Sequence, residues 1–198
     1  MTSLNSQNYI ALDLEMNQNP ETKVAKIIQV GIAIGNVNSG ILTTFDWYVN
    51  PEEPLVPYIT TLTGITQEDI ATKSVSHQTV AQELGALIDT YKPFVDPITW
   101  GQGDVLELTS EFSQNSVPFP YFGRRIIDVK TMYGYTQLAV GKSPAGGLRK
   151  TMNRNGIPFV GTPHRASVDA SNTLRFFFYL LERQQMLENL IQTAKIIR

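Results

Sequence analysis

Hydrophobic positions divide this chain into a first part that reads as strands and a remainder in which strands and helices alternate. Residues 8–14 run apolar and read as a strand. Lys26 to Val37 is rich in β-branched residues and reads as a second strand. Asn38-Ser39-Gly40 is a turn signal, and Ile41 to Val49 a third strand, so 26–49 reads as a hairpin. Val49 to Pro57 holds three prolines and is a loop. Short helical turns follow over 58–73. Gln78 to Tyr91 is an amphipathic helix with Val80, Leu84, Leu87 and Ile88 on one face. Residues 97–100 form a short strand and 104–114 a helix with Val105, Leu108 and Phe112 turned inward. Residues 125–128 are a further strand and 129–138 a helix. Residues 145–155 are a basic helix ending at Gly156. A long helix over 166–182 is too apolar in its C-terminal half to be exposed. A separate last helix over 185–197 carries a stripe of Leu187, Leu190, Ile191, Ala194 and Ile197, read as closing the core or forming a dimer interface, with core closure favoured. The expected fold is α/β: a mixed five-stranded sheet, with an antiparallel hairpin edge and parallel strands, flanked by helices. One domain is expected to span 1–198.

The first strand poses a problem. Its segment Y-I-A-L-D-L-E-M-N-Q places Asp13 and Glu15 two residues apart, on one face, inside an apolar run. Two ionised carboxylates so close repel, and burial adds a penalty of several kcal/mol on the order of that for unpaired charges. Their hard oxygen atoms suit a divalent cation such as Mg²⁺ or Mn²⁺. An edge strand with both acids in water is the other reading, and the flanking Ile10, Ala11, Leu12 and Leu14 oppose it. Asp104 follows Trp100-Gly101-Gln102-Gly103 at a strand–helix junction, and by itself it is accounted for as an N-cap. Asp169, early in the long helix, is by itself accounted for by the helix dipole. His164, after Pro163, falls on the loop or first turn leading into that helix. His77 is read as a packed or solvated residue, and Asp128 as structural.

Composition narrows the chemistry. The 198 residues are 42% hydrophobic and 17% charged and contain no cysteine, so disulfides and thiolate metal sites are excluded. The first residues, M-T-S-L-N-S-Q-N, lack the pattern of a signal peptide, and the longest apolar run is too short to span a bilayer; a soluble, cytoplasmic protein is expected. The net charge of −2 conceals an asymmetry: residues 1–122 hold 4 Lys/Arg and 14 Asp/Glu, and residues 123–198 hold 12 and 4. An acidic half facing a basic half across one cleft would suit metals on one side and phosphates on the other; ordinary surface variation is the alternative.

Taken in order, A-L-D-L-E-M, W-G-Q-G-D and H-R-A-S-V-D-A resemble the three motifs of the DEDDh (DnaQ-like) 3′-5′ exonucleases of the ribonuclease H-like superfamily. The resemblance covers about residues 8–182. L-T-G-I-T-Q-E-D-I (62–70) and the preceding proline-rich loop are most similar to the ERI-1-like exoribonuclease branch, and D-L-E-M is similar to oligoribonuclease. The resemblance implies that Asp13, Glu15, Asp104 and Asp169 hold two divalent metal ions, with Asp13 bridging and His164 as general base. It implies release of nucleoside 5′-monophosphates from the free 3′ end of single-stranded nucleic acid, RNA before DNA. Met16, Leu62, Thr63 and Arg165 are the implied substrate contacts. The basic half (Arg124, Arg125, Lys142, Arg149, Lys150, Arg154 and Arg165) would supply contacts to backbone phosphates. A DNA proofreading subunit and a catalytically inactive nucleic-acid-binding protein are the competing readings.

Overall fold

The computed structural model describes residues 6–21, 23–118, 125–144 and 146–196. Arg124, Ala145, Ile197 and the N-terminal five residues, all used above, lie outside them.

Strands β1 (Tyr9–Gln18), β2 (Ala25–Asn36) and β3 (Gly40–Val49) form an antiparallel meander. Helices α1 (Pro57–Thr63) and α2 (Gln67–Lys73) follow, then the two-residue strand β4 (Ser74–Val75) and helix α3 (His77–Tyr91). Strand β5 (Ile98–Thr99), α4 (Gly103–Gln114), β6 (Ile127–Asp128), α5 (Val129–Leu138), α6 (Leu148–Arg154) and α7 (Ala166–Ile196) complete the chain. The sheet order is β4-β3-β2-β1-β5-β6, with β4, β5 and β6 parallel to their neighbours. The mixed sheet with its antiparallel start is the one expected; β4 adds a sixth, edge strand too short to leave a periodic signal.

Local sequence explains the element ends. Pro57 occupies the first turn of α1, and Gly64, at φ 69°, closes it through a 2.8 Å bond from its N–H to the Thr60 carbonyl. Thr66 and Asp69 form a reciprocal capping box on α2. Ser76 caps α3 and Asp128 caps α5 through their side chains. No side chain caps α4. Asp104 lies in the first turn of that helix and not at its N-cap, which leaves its carboxylate free for other work.

Alternation along β1 separates two cores. Ile10, Leu12 and Leu14 face α3 and α4, packing with Val80, Leu84, Leu108 and Phe112. Tyr9 and Ala11 face the other layer, with Val129, Leu148, Met152, Leu174 and Phe177 of α5, α6 and α7. Asp13 and Glu15 continue that second face.

The C-terminal helices differ from expectation. Residues 166–196 form one continuous helix of 31 residues, ~46 Å long at 1.5 Å per residue. Glu182 to Gln185 are good helix formers without glycine or proline, so nothing interrupts it. The apolar stripe does not close the core: Met186, Leu187, Leu190 and Ile191 are 47–66% exposed. Only the first half of α7 meets the sheet, where Leu174, Phe176 and Phe177 are buried. No helix among the described residues is long and apolar enough to cross a membrane.

Candidate active site

The carboxylates gather where the start of α7 crosses the sheet. Asp13 on β1 is paired in register with Gly31 on β2, and Gly31 with Asp46 on β3. This transverse row carries the helix. A Cβ on Gly31 would lie 2.1 Å from both the Ala166 carbonyl carbon and the Ser167 nitrogen, so the helix backbone rests directly on a bare glycine. The first helical N–H groups, which no helical carbonyl can satisfy, are taken by the sheet. Ala166 N–H donates to Gln29 Oε1 at 3.1 Å and Ser167 N–H to Asp46 Oδ1 at 2.9 Å, while the Ser167 hydroxyl donates to Asp46 Oδ2 at 2.5 Å. Gln29, Gly31 and Asp46 thereby fix where α7 begins.

That placement delivers Asp169 and His164 to β1. His164 lies on the loop before α7 in the left-handed region, φ 60°, and its backbone N–H donates to Asp169 Oδ2 at 2.7 Å. Potential ligand atoms of Glu15, His164 and Asp169 all lie within 4.8 Å of one another. Asp104 approaches from α4, near enough for its charge to raise both Asp13 and Glu15.

Electrostatics at the site are those of crowded anions. Burial, followed by the charges of Asp104, Asp169 and Glu15, holds the Asp13 carboxyl well above the usual carboxylate range. Burial, then Asp169 and Asp104, pushes Glu15 up to about 7, with Arg165 acting in the opposite direction. Burial and then Glu107 push Asp104 to about 6. Burial also raises Asp169, opposed by the hydrogen bond and charge of His164. Such a set of largely desolvated oxygen donors, with the charges of its members opposing the ionisation of Asp13 and Glu15, fits a divalent cation, whose charge would remove the conflict.

These residues open on a cleft of about 1000 Å³. Asp13, Glu15, His164 and Asp169 line it together with Arg149, Lys150, Asn153 and Arg154 of α6, while Asp104 is not part of its lining. Trp100 also lines it, edge to face with Phe176 at 5.9 Å.

The expected substrate contacts fare unevenly. Met16, Leu62, Thr63 and Arg165 are not part of the cleft lining among the described residues. The Met16 side chain packs on the α3/α4 core. Thr63 is buried, its hydroxyl donating to the Ile59 carbonyl at 2.9 Å and accepting from Ile65 N–H at 3.0 Å. It is committed to the α1 terminus and does not offer itself to a base, because the turn after α1 needs its hydroxyl. Leu62, by contrast, is 36% exposed and is no core residue. Arg165 reaches the Gly64 carbonyl at 3.4 Å, tying the loop before α7 to the end of α1.

Two side chains outside the motifs have definite tasks. His77 Nε2 meets Glu111 Oε1 at 2.9 Å, and Glu111 Oε2 accepts from Ile27 N–H at 2.9 Å, binding α3, α4 and β2 away from the cleft. Asp128 accepts from Thr131 N–H at 3.1 Å and from its hydroxyl at 2.6 Å, and also from Gly101 N–H at 3.1 Å. It thus anchors the turn that leads into α4 and Asp104. Asp128→Ala is expected to lower stability by about 1–2 kcal/mol, as for loss of a helix cap. Loosening of that turn is expected to reduce turnover as well. Thermal unfolding and steady-state rates on the same preparation check both.

Comparison with known proteins agrees with this geometry. Residues 10–177 match the sequence profile of the RNase T family, described as "Exonuclease". The chain belongs to the RNase T exonuclease family. This exonuclease is 25% identical over 174 residues to the "Probable 3'-5' exonuclease KapD" of Bacillus subtilis (strain 168), covering 85% of this chain and 80% of that protein. Its fold matches the nuclease domain of 3'hExo, a DEDDh family member bound to rAMP. The TM-score is 0.74 and the identity 22%, over 89% of this chain and 92% of that one. It also matches E. coli exonuclease I in complex with a dA16 oligonucleotide, TM-score 0.71 and 17% identity. That match covers 94% of this exonuclease but only 43% of the exonuclease I chain. The protein is an exonuclease, a phosphodiester hydrolase, and it shares the fold of the ribonuclease H-like exonucleases.

Proposed function

We propose that this exonuclease acts as a DEDDh enzyme, removing nucleoside 5′-monophosphates one at a time from the free 3′ end of single-stranded nucleic acid, with RNA the preferred substrate. The carrying observation is that Asp13, Glu15 and Asp169 share one cleft with His164, each carboxyl raised by burial, while the charge of Asp104 raises Asp13 and Glu15. In this reading the four carboxylates hold two divalent cations, Mg²⁺ or Mn²⁺. When bound, these would lower the pKa of water and neutralise charge developing on the phosphate. The imidazole of His164 takes the proton of the attacking water. Asp169, accepting from the His164 backbone N–H, holds the loop that carries the imidazole, a ring nitrogen of which lies within 4.8 Å of carboxylate oxygens of Glu15 and Asp169. The water oxygen bonds to phosphorus, the bond from phosphorus to the 3′ oxygen of the preceding nucleotide breaks, and that oxygen takes up a proton. Asp13 and Glu15 act from a strand paired along its length with β2 and, at Ala11, with β5, which holds their placement.

Preference for RNA rests on the L-T-G-I-T segment and on the fold shared with a nuclease that binds rAMP. The fold shared with an exonuclease bound to dA16 favours DNA as the second reading. We read 1–198 as one catalytic domain working in the cytoplasm. Initial rates on matched, 5′-labelled RNA and DNA oligonucleotides of one sequence decide the substrate. A kcat/KM at least ~10-fold higher for RNA is expected, since a hydrogen bond to the 2′-OH contributes about 1–3 kcal/mol if it is lost from a buried site. Equal rates, or faster hydrolysis of DNA, would reject the RNA preference.

A further inference from the structure

The acid cluster accounts for one phosphate of a substrate. A 3′-5′ exonuclease cuts the last phosphodiester, so every other phosphate of the strand lies on the 5′ side of the scissile one. The structure supplies a surface for them.

Helix α6 is fixed by its buried side: Leu148, Thr151 and Met152 are at most 8% exposed. The neighbouring Arg149, Lys150, Asn153 and Arg154 turn outward and line the same cleft as the carboxylates. The spacing i, i+1, i+4, i+5 places them in two adjacent columns on one helical face. Among the described residues none of these three cations forms an ion pair, although acids line the same cleft. Other basic side chains are engaged. Arg125 pairs with Asp96 at 3.2 Å, Arg175 donates to the Pro158 carbonyl at 3.1 Å, and Lys73 pairs with Asp69 at 2.5 Å. Three unpaired cations facing a catalytic cleft are complementary to a chain of phosphates, and Asn153 adds a neutral donor beside them.

We propose that α6 is the phosphate-binding wall of the cleft, with Arg149, Lys150 and Arg154 taking backbone phosphates on the 5′ side of the scissile bond. The proposal rests on the exonuclease reading above and names where the strand runs. Contacts of this kind carry no base information, so the wall would hold RNA and DNA strands alike and leave any discrimination to other positions.

The test reads binding without turnover. A fluorescein-labelled ten-nucleotide oligoribonucleotide is titrated with the full chain in EDTA, by anisotropy, over a series of NaCl concentrations. The Arg149→Gln, Lys150→Gln, Arg154→Gln triple variant is compared with a control that removes three exposed cations elsewhere, at Lys23, Lys92 and Arg183. For single strands each phosphate contact contributes roughly 0.7 to the slope of log K against log salt. The α6 variant should therefore show a slope shallower by about 2 and at least ~10-fold weaker binding at moderate salt, while the control keeps the wild-type slope. Each single α6 variant should lose about 0.7, which keeps the test decisive if the triple variant folds poorly. A wild-type slope in the α6 variants, or an equal loss in the control, would overturn the proposal. Failure of the wild-type protein to hydrolyse any oligonucleotide would reject the catalytic reading, and the slopes would still decide whether α6 binds phosphates.

Discussion

Gly31→Ala is expected to reduce turnover by about 10²-fold and to lower the melting temperature by roughly 5–10 °C, although Gly31 belongs to no motif and bears no functional group. Its Cβ would be 2.1 Å from two backbone atoms of α7 and 2.6 Å from the Ala166 Cβ. No side chain can rotate away, so either the helix lifts or β2 sinks. Overpacking of this kind destabilises by about 1–3 kcal/mol. Lifting also stretches the bonds from Ala166 to Gln29 and from Ser167 to Asp46, and so moves Asp169 and His164 away from Asp13 and Glu15. A displacement of about 1 Å at a catalytic constellation suffices for a 10²-fold effect. Gly103→Ala is the matching control. A Cβ there meets nothing within 4 Å, though Gly103 adjoins Asp104, and both activity and melting temperature should stay close to wild type. Circular dichroism melts and single-turnover rates on the two variants separate a general glycine effect from the specific contact.

Asp13→Asn is expected to abolish hydrolysis, by about 10³-fold or more, while making the metal-free protein more stable. The first effect follows from the position of Asp13 at the centre of the acids. The second follows from the direction of their pKa shifts. Glu15, moved from 4.5 to about 7, keeps a proton in the folded state that the unfolded chain releases. Folding is therefore favoured by this group at low pH, and that benefit declines as pH rises from about 4.5 through 7. The loss approaches about 3 kcal/mol from Glu15 alone. Asp13, Asp104 and Asp169 shift in the same direction, so the metal-free enzyme should melt at higher temperature at pH 5 than at pH 8. Removing the Asp13 charge relieves its neighbours, and a gain of roughly 2–10 °C at pH 8 is expected from about 1–3 kcal/mol. Millimolar Mg²⁺ or Mn²⁺ should raise the wild-type melting temperature at pH 8 and do so far less in Asp13→Asn, since a ligand stabilises only the state that binds it. A variant that loses activity and stability together would indicate a structural role for Asp13.

What the sequence revealed and what it concealed have different physical origins. Strand alternation is a local rule, so Asp13 and Glu15 can be placed on one face from their spacing alone, and the hairpin of β2 and β3 follows from the Asn38-Ser39-Gly40 turn. Asp104 and Asp169 each had an adequate local explanation as a cap or a dipole partner; only the order of all three motifs set that aside. The helix seat was not legible. Gln29 and Ala166 are 137 positions apart and Asp46 and Ser167 121, and Gly31 resembles any small residue in a strand. The terminal stripe stays exposed where core closure is expected, because an amphipathic pattern requires a partner without saying whether this chain provides it. Asp128 is structural, as its place outside the motifs implies, but its bond to Gly101 joins segments 27 positions apart, which no local pattern reveals.

The central claim is that the carboxylates around Asp13 hydrolyse a strand from its 3′ end with the help of a divalent cation. A 5′-labelled single-stranded RNA should yield, with Mg²⁺ or Mn²⁺, a ladder that shortens progressively from the 3′ side. EDTA, a 3′-terminal phosphate or Asp13→Asn should each leave the strand intact. A ladder that persists in Asp13→Asn, or cleavage that begins within a 3′-blocked strand, would contradict the account.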